Sequence, residues 1–393
     1  MMKKRLLAVL AAGLVLLSGC AQQGDKTTKA MQEWVKTAQL SAHETPQELY
    51  QKALNEDTLV IYTITTRITE VKESFEKQYP GLHVEIRDVR STEVVDMVAE
   101  NAASGRNECD IVICNDNSGE LSAKLVDTGL IYPYIPYDIA PKLKEGHGED
   151  QLYYLDEAQM FFYNSAIYDE VPIQNIWQLC EAQYKGEIYM PSPLRSFSTY
   201  GFCAMVLAHP NEMEQAWLDY AGTPLEVPEG KTASEVFFER LVQNVHFTNS
   251  SDEVAEAVGS AAGTGHFGLV ISSKQRLNSV GYHMAPIYKL DPFSGSYAST
   301  SAMIAGGAKN INSAKLFIRW LLGEADGTGE GYKPYQTAGT WSPRTDVPDG
   351  NDVPLSEIDL LWLDKEYMKD NRDEIDASFS SILKTYGEQE QAN

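Results

Sequence analysis

Thr58-Leu59-Val60-Ile61-Tyr62-Thr63, Leu82-His83-Val84-Glu85-Ile86 and Cys109-Asp110-Ile111-Val112-Ile113-Cys114 are the parts of one stretch, 58–114, whose reading decides the fold. Each part is a short run of strand length, rich in branched apolar residues. Between the first two, Ile68, Val71 and Phe75 recur at helical spacing, and Tyr79-Pro80-Gly81 ends that helix. Glu93 to Ala103 reads as a second helix before the third strand. Strands that alternate with helices make right-handed βαβ units around a parallel sheet. Ligands of such sheets bind beyond the carboxyl ends of the strands, at a topological switch point. The loops after Thr63 and after Cys114 are therefore the first candidate sites.

Upstream, Thr45-Pro46-Gln47-Glu48 combines an N-cap, a proline at the first helical position and a capping-box glutamate, which predicts a helix through Leu54. Downstream, Tyr132-Pro133-Tyr134-Ile135-Pro136-Tyr137 and the polar segment from Lys142 to Asp150 break the pattern. After the break, 160–163, 186–190 and 267–271 read as strands, with helices near 200–207, 233–243 and 252–258. This is a second α/β lobe. Residues 313–322 form a strongly apolar helix, and two more helical stretches lie around Leu360 and Ile382. The rings of Tyr153, Tyr154, Phe161, Phe162 and Tyr163 read as core.

The chain starts with Lys3, Lys4 and Arg5, an apolar run from Leu6 to Leu17 and then small residues, the layout of an export signal. The run is too short to span a bilayer. Leu17-Ser18-Gly19-Cys20 resembles the bacterial lipobox, which implies that Cys20 becomes the lipidated N-terminus, anchoring the body outside the cytoplasm. The residues after Cys20 are small and polar, the composition of a flexible tether.

About 350 residues then remain, enough for two lobes. The net charge is −24, three more negative without the leader's cations, which argues against a nucleic-acid partner. It does not exclude an anionic small ligand, since a few local cations set the potential inside a cleft. Cys109 and Cys114 end a strand about 17 Å apart on opposite faces, beyond disulfide reach. A Cys180–Cys203 bridge and two buried thiols are both open readings. No cysteine or histidine spacing suggests a metal site, and no cofactor is expected.

Glu48 to Tyr62, Phe75 to Val84, Cys109 to Cys114, Phe162-Tyr163-Asn164, Tyr184 to Ile188 and Asn312 to Phe317 follow one another in an order that resembles the extracellular solute-binding proteins of ABC importers, in the ferric-ion, thiamine and phospho-compound branch. The resemblance covers nearly the whole mature chain. It implies a two-lobed α/β periplasmic-binding-protein fold of type II, hinged around an interlobe cleft, and delivery of a solute to a permease and its ATPase. The expected division is a signal at 1–19, a lipidated tether at 20–44, the first lobe at 45–155, the second at 156–280, a return to the first at 281–345 and C-terminal helices at 346–393.

The ferric branch supplies a histidine after its first strand, an acidic residue after its third and a tyrosine pair in the second lobe. Here the resemblance places Thr66 at the first position, Asp116 at the second, and Ser272-Ser273-Lys274 near the third. Hydroxyls and an ammonium in place of phenolates repel Fe(III) and suit an oxyanion. Thr63, Thr65, Thr66 and Arg67 at one helix start, and Arg195, Ser196, Ser198 and Thr199 before a helix from Tyr200, offer hydroxyls, amides and cations to an anion. With Asn115, Asp116, Ser272, Ser273 and Lys274 they form the expected ligand set. Ser299-Thr300-Ser301 and Arg344 are weaker candidates. The bland reading of each serine or threonine is a helix cap, and of each cation an ion pair.

The sequence thus points to a solute-binding lipoprotein for a small anionic metabolite, phosphorylated or a phosphonate. Ferric iron is the alternative ligand, and a surface interaction protein is the alternative of another class. Ser381-Ile382-Leu383-Lys384 matches an acyl-serine motif, but its companion motifs are absent, so catalysis is not expected.

Overall fold

A computed structural model describes residues 29–325 and 328–386. The export signal, the lipobox and Cys20 lie outside the described residues, as do the last seven residues assigned to the C-terminal helices.

The first lobe is built from helix α1 (29–38), α2 (Pro46–Ala53), β1 (Leu59–Thr63), α3 (Ile68–Gln78), β2 (Val84–Asp88), α4 (Ser91–Ala103), β3 (Ile111–Asn115) and β4 (Ile131–Tyr132). The capping box forms as expected: the Thr45 N–H donates to the Glu48 carboxylate at 2.8 Å, and the Thr45 hydroxyl accepts from the Glu48 N–H at 3.3 Å. Ile68, Val71 and Phe75 are fully buried along α3. β1 pairs in parallel with β2 and with β3, because each helix carries the chain back across the sheet before the next strand begins.

The chain then enters a second lobe along β5 (Tyr153–Asn164), followed by β6 (Ile188–Pro191), α5 (Phe197–Leu207), α6 (Pro210–Ala221), α7 (Ala233–Leu241), β7 (Val245–Thr248), α8 (Ser251–Gly259), β8 (Phe267–Ile271) and β9 (Met284–Pro286). It returns along β10 (Gly295–Ala305) to α9 (Ile311–Leu321) and finishes with β11 (Leu360–Leu361), α10 (Lys365–Asp370) and α11 (Arg372–Tyr386). The strands run β2-β1-β3-β10-β5-β8-β6-β7. The long strands β5 and β10 are antiparallel partners, β10 also pairing with β3 and β5 with β8. They are thus the crossing segments of a two-lobed molecule. Separate cores lie on either side, one around Phe75, Ile113 and Phe317, another around Trp177, Phe202 and Phe237.

Three expectations need correction and one open reading is settled. The helical stretch expected around Leu360 is instead the strand β11, paired with Gly295 and Ser296 of β10, and helix α10 follows it. Part of the segment expected to be tether is helical: residues 29–38 form α1, Ala38 is buried, and the Trp34 indole donates to the Ala308 carbonyl at 3.0 Å. The neighbouring polar residues hide the two positions that dock it. The helix expected from Tyr200 starts at Phe197, because the Ser196 hydroxyl accepts from the Thr199 N–H at 3.3 Å and caps it there. All four described cysteines are free thiols, which removes the Cys180–Cys203 bridge. Ser381 and Lys384 are exposed on α11 while Ile382 packs into the second core. No helix among the described residues is long and apolar enough to cross a membrane.

Candidate functional site

The carboxyl ends of β1, β2 and β3 and the corresponding loops of the second lobe open onto one cavity of about 270 Å³. The first lobe contributes 64–67, 88–91 and Asn115; the second contributes Arg195, Ser196 and Ser198 at the start of α5, 249–252 at the start of α8, and Ser273, Lys274 and Arg276 after β8. The floor is the crossing pair itself, with Tyr154, Leu155 and Glu157 of β5 and Ala298 and Thr300 of β10. Strand alternation explains why Leu155, Glu157, Ala298 and Thr300, and not their neighbours Asp156 and Tyr297, face the cleft, while Tyr154 sits at the register shift between Thr300 and Ser301. The lobes also touch: Asn115 Nδ2 donates to Ser198 Oγ at 3.1 Å, and the Phe197 N–H donates to Ser91 Oγ at 3.3 Å.

Arg67 is the central cation. It is only 8% exposed, its Nη2 donates to Glu157 Oε1 at 2.9 Å and to Ser273 Oγ at 3.2 Å, and its guanidinium lies 4.7 Å from the Tyr335 ring centre. Burial works against its charge, yet Glu157 keeps its pKa above the usual arginine range. Its Nη1 is buried with no partner among the described residues. A buried donor left unmade costs about 1–3 kcal/mol, and an oxygen placed there recovers it.

Lys274 and Arg276 stand beside it. Burial holds the Lys274 ammonium below the usual lysine range; the ion pair with Asp252 works against this, while Arg276 and Arg67 add to it. Burial and the Arg67 charge lower Arg276 in the same way, and its only hydrogen bond among the described residues is to the Ser273 carbonyl at 2.8 Å. Five cations (Arg67, Arg90, Arg195, Lys274, Arg276) against three carboxylates (Asp88, Glu157, Asp252) line the cavity, so the cleft is locally positive in a strongly acidic chain.

Of the residues expected from the sequence, Thr65, Thr66, Arg67, Asn115, Arg195, Ser196, Ser198, Ser273 and Lys274 come together on this lining. Thr63, Asp116, Thr199 and Ser272 do not. Thr63 is fully buried and caps its own turn, accepting from the Thr65 N–H. Asp116 accepts from the N–H and hydroxyl of Ser122 and from Gln151, and lines a separate cavity behind the crossing strands. Thr199 accepts from Gln159 inside the second lobe. Ser272 accepts from the Ala158 N–H and donates to the Gly339 carbonyl. Each is one residue off a lining position, so the pleat or helix turn points it the other way. Among the weaker candidates Thr300 lines the cleft, Ser299 lines the rear cavity and Ser301 bonds the Cys114 carbonyl. Arg344 is spent on Asp346 and two helix-end carbonyls.

Sequence reasoning missed Asp88, Tyr154, Glu157, Asp252 and Arg276. Asp88 was within reach of the rule that ligands lie beyond strand ends, since it closes β2. Glu157 carries no local signal, because its inward direction depends on β5 being a crossing strand.

No family model and no curated protein matches the chain. Solved structures do. AfuA from Actinobacillus pleuropneumoniae, a periplasmic binding protein with fructose-6-phosphate bound, superposes with a TM-score of 0.63 at 18% identity, over 84% of this chain and 99% of that one. The chain has the periplasmic-binding-protein fold. Iron-bound HitA from Pseudomonas aeruginosa shares that fold at a TM-score of 0.62 and 15% identity, over 83% of this chain and 99% of that one. The substrate-binding protein of an ABC transporter from Agrobacterium tumefaciens does so at 0.57 and 15%, over 83% and 96%. Within this fold the cavity described above lies between the lobes.

Proposed function

We propose that the protein is the solute-binding component of an ABC importer that captures a small anionic metabolite, phosphorylated or a phosphonate, between its lobes and delivers it to a permease energised by an ATPase. The observation that carries this reading is Arg67, buried in the cleft with Nη1 unpartnered and with Lys274 and Arg276 beside it. Anion oxygens satisfy that donor and relieve the crowding of three cations. The start of α5 adds backbone N–H groups and the positive end of a helix dipole. The lipobox resemblance supports a body outside the cytoplasm, tethered through Cys20. Binding rather than catalysis is the proposed role, in keeping with the binding proteins whose fold the chain shares.

The fold relatives bind different things, iron in one and a sugar phosphate in another. The lining favours the second kind: five cations against three carboxylates attract an oxyanion and repel Fe(III). The test is a thermal-shift screen of the lipid-free protein against sugar phosphates, phosphonates, phosphate, thiamine and ferric citrate. Stabilisation by a phospho-compound, lost in Thr66→Ala and Arg276→Ala, is the expected result. Stabilisation by ferric citrate alone would contradict it.

A further inference from the structure

The cleft carries charges of both signs. Arg67, Lys274 and Arg276 crowd one part of it, while two carboxylates reach it from opposite lobes: Asp88 at the end of β2 and Asp252 in the first turn of α8. No hydrogen bond or ion pair holds the Asp88 carboxylate among the described residues. The cations nearest in the chain, Arg87 and Arg90, pair with Glu85 at 3.0 Å and Glu93 at 3.2 Å, and Arg195 across the cleft donates to Asn249. Asp252 is bound through one oxygen to Lys274, leaving its other oxygen for a second partner.

We propose that the ligand is zwitterionic, its phosphate or phosphonate held by Arg67, Lys274 and Arg276 and an ammonium group held between Asp88 and Asp252. This rests on the anion reading above and narrows it. Hinge closure brings the two walls together and removes water from both carboxylates, which raises the cost of leaving Asp88 unpaired. The two acids already act on one another: partial desolvation and the nearby Asp252 push the Asp88 carboxyl above the usual range, with Lys274 only offsetting this. A hydroxyl tail would give each carboxylate a donor but leave their repulsion in place. An ammonium supplies donors and cancels the repulsion, because like charges at close range in a dewatered cleft interact strongly. A purely anionic ligand therefore meets the opposing field of Asp88 and Asp252 as well as that of the cations, and a zwitterion answers both.

The test is isothermal titration of the full mature protein with three probes that share a phosphate and differ in the tail: O-phosphoethanolamine, ethyl phosphate and glycerol 3-phosphate. The expected result is that the ammonium-bearing probe binds at least about tenfold tighter than the other two. Asp88→Asn, at an exposed rim position that leaves folding intact, should bring all three within about twofold. Ethyl phosphate or glycerol phosphate binding as tightly as the amino compound to the wild type would overturn the zwitterion and leave the anion reading standing. An unchanged preference in Asp88→Asn would also overturn it. Binding of none of the three, nor of any phospho-compound in the thermal screen, would overturn the anion reading and this inference with it.

Discussion

Glu157→Gln isolates the charge that holds Arg67 in place. The two groups are 5% and 8% exposed and 2.9 Å apart, and the amide keeps the shape of the carboxylate. Removing one partner of a buried pair leaves an uncompensated charge and costs about 3–5 kcal/mol. For lobes of this size that is a fall in melting temperature of about 6–20 °C, at about 2–4 °C per kcal/mol. Urea unfolding followed by circular dichroism measures it without relying on reversible heating. Adding Arg67→Gln to Glu157→Gln removes the stranded cation, so the double variant should regain much of the loss. That non-additivity is the signature of the pair. A Glu157→Gln protein within about 1 kcal/mol of the wild type, or a double variant whose loss equals the sum of the singles, would refute the claim that a buried Arg67 charge is balanced by Glu157.

Other predictions follow from the same geometry. Arg276→Ala should leave urea stability unchanged or raised, since the cation has no ion-pair partner among the described residues, while weakening anion binding by about tenfold or more in calorimetry. Equal losses of stability and affinity would mark it as structural. His147 Nε2 donates to the Asp156 carboxylate at 2.9 Å, and although burial opposes its charge, Asp156 raises its pKa above the ordinary value. The stability this pair contributes is fully present below about pH 6.5 and is lost as pH rises through the folded value. Urea midpoints between roughly pH 5.5 and 8.5 should show that loss in the wild type and not in His147→Gln. An added Cβ at Gly201 would stand 2.3 Å from the Asn117 carbonyl oxygen, so Gly201→Ala should push α5 off the first lobe and cost about 1–3 kcal/mol. An unaltered melting curve would show that the two lobes do not meet there.

The parts of the molecule that were legible in the sequence are those fixed by local chemistry. The capping box at Thr45, the helical face of Ile68, Val71 and Phe75, and three short branched strands specify the first βαβ units within about 60 residues. The crossing strand β10 was not legible, because Gly295-Ser296-Tyr297-Ala298-Ser299-Thr300-Ser301 lacks the apolar alternation of a strand and is held by partners more than a hundred residues away. The same division runs through the site. Hydroxyls at helix starts and the Lys274 position could be found from caps and from the resemblance. Asp88, Glu157, Asp252 and Arg276 become site residues only when two lobes face each other, and neighbours such as Thr63 and Ser272 drop out because sequence adjacency says nothing about which side of a strand is wet.

The account stands on the claim that this cleft binds an anion through Arg67 and its neighbouring cations. Isothermal titration of the lipid-free protein with a phospho-compound selected by the thermal screen, at low and at raised salt, tests it directly. The predicted result is one site per chain, an affinity that falls as salt rises, and loss of binding in Lys274→Ala/Arg276→Ala with the fold retained. One-site binding of ferric iron with no response to any phospho-compound, or phospho-compound binding that survives removal of both cations, would contradict it.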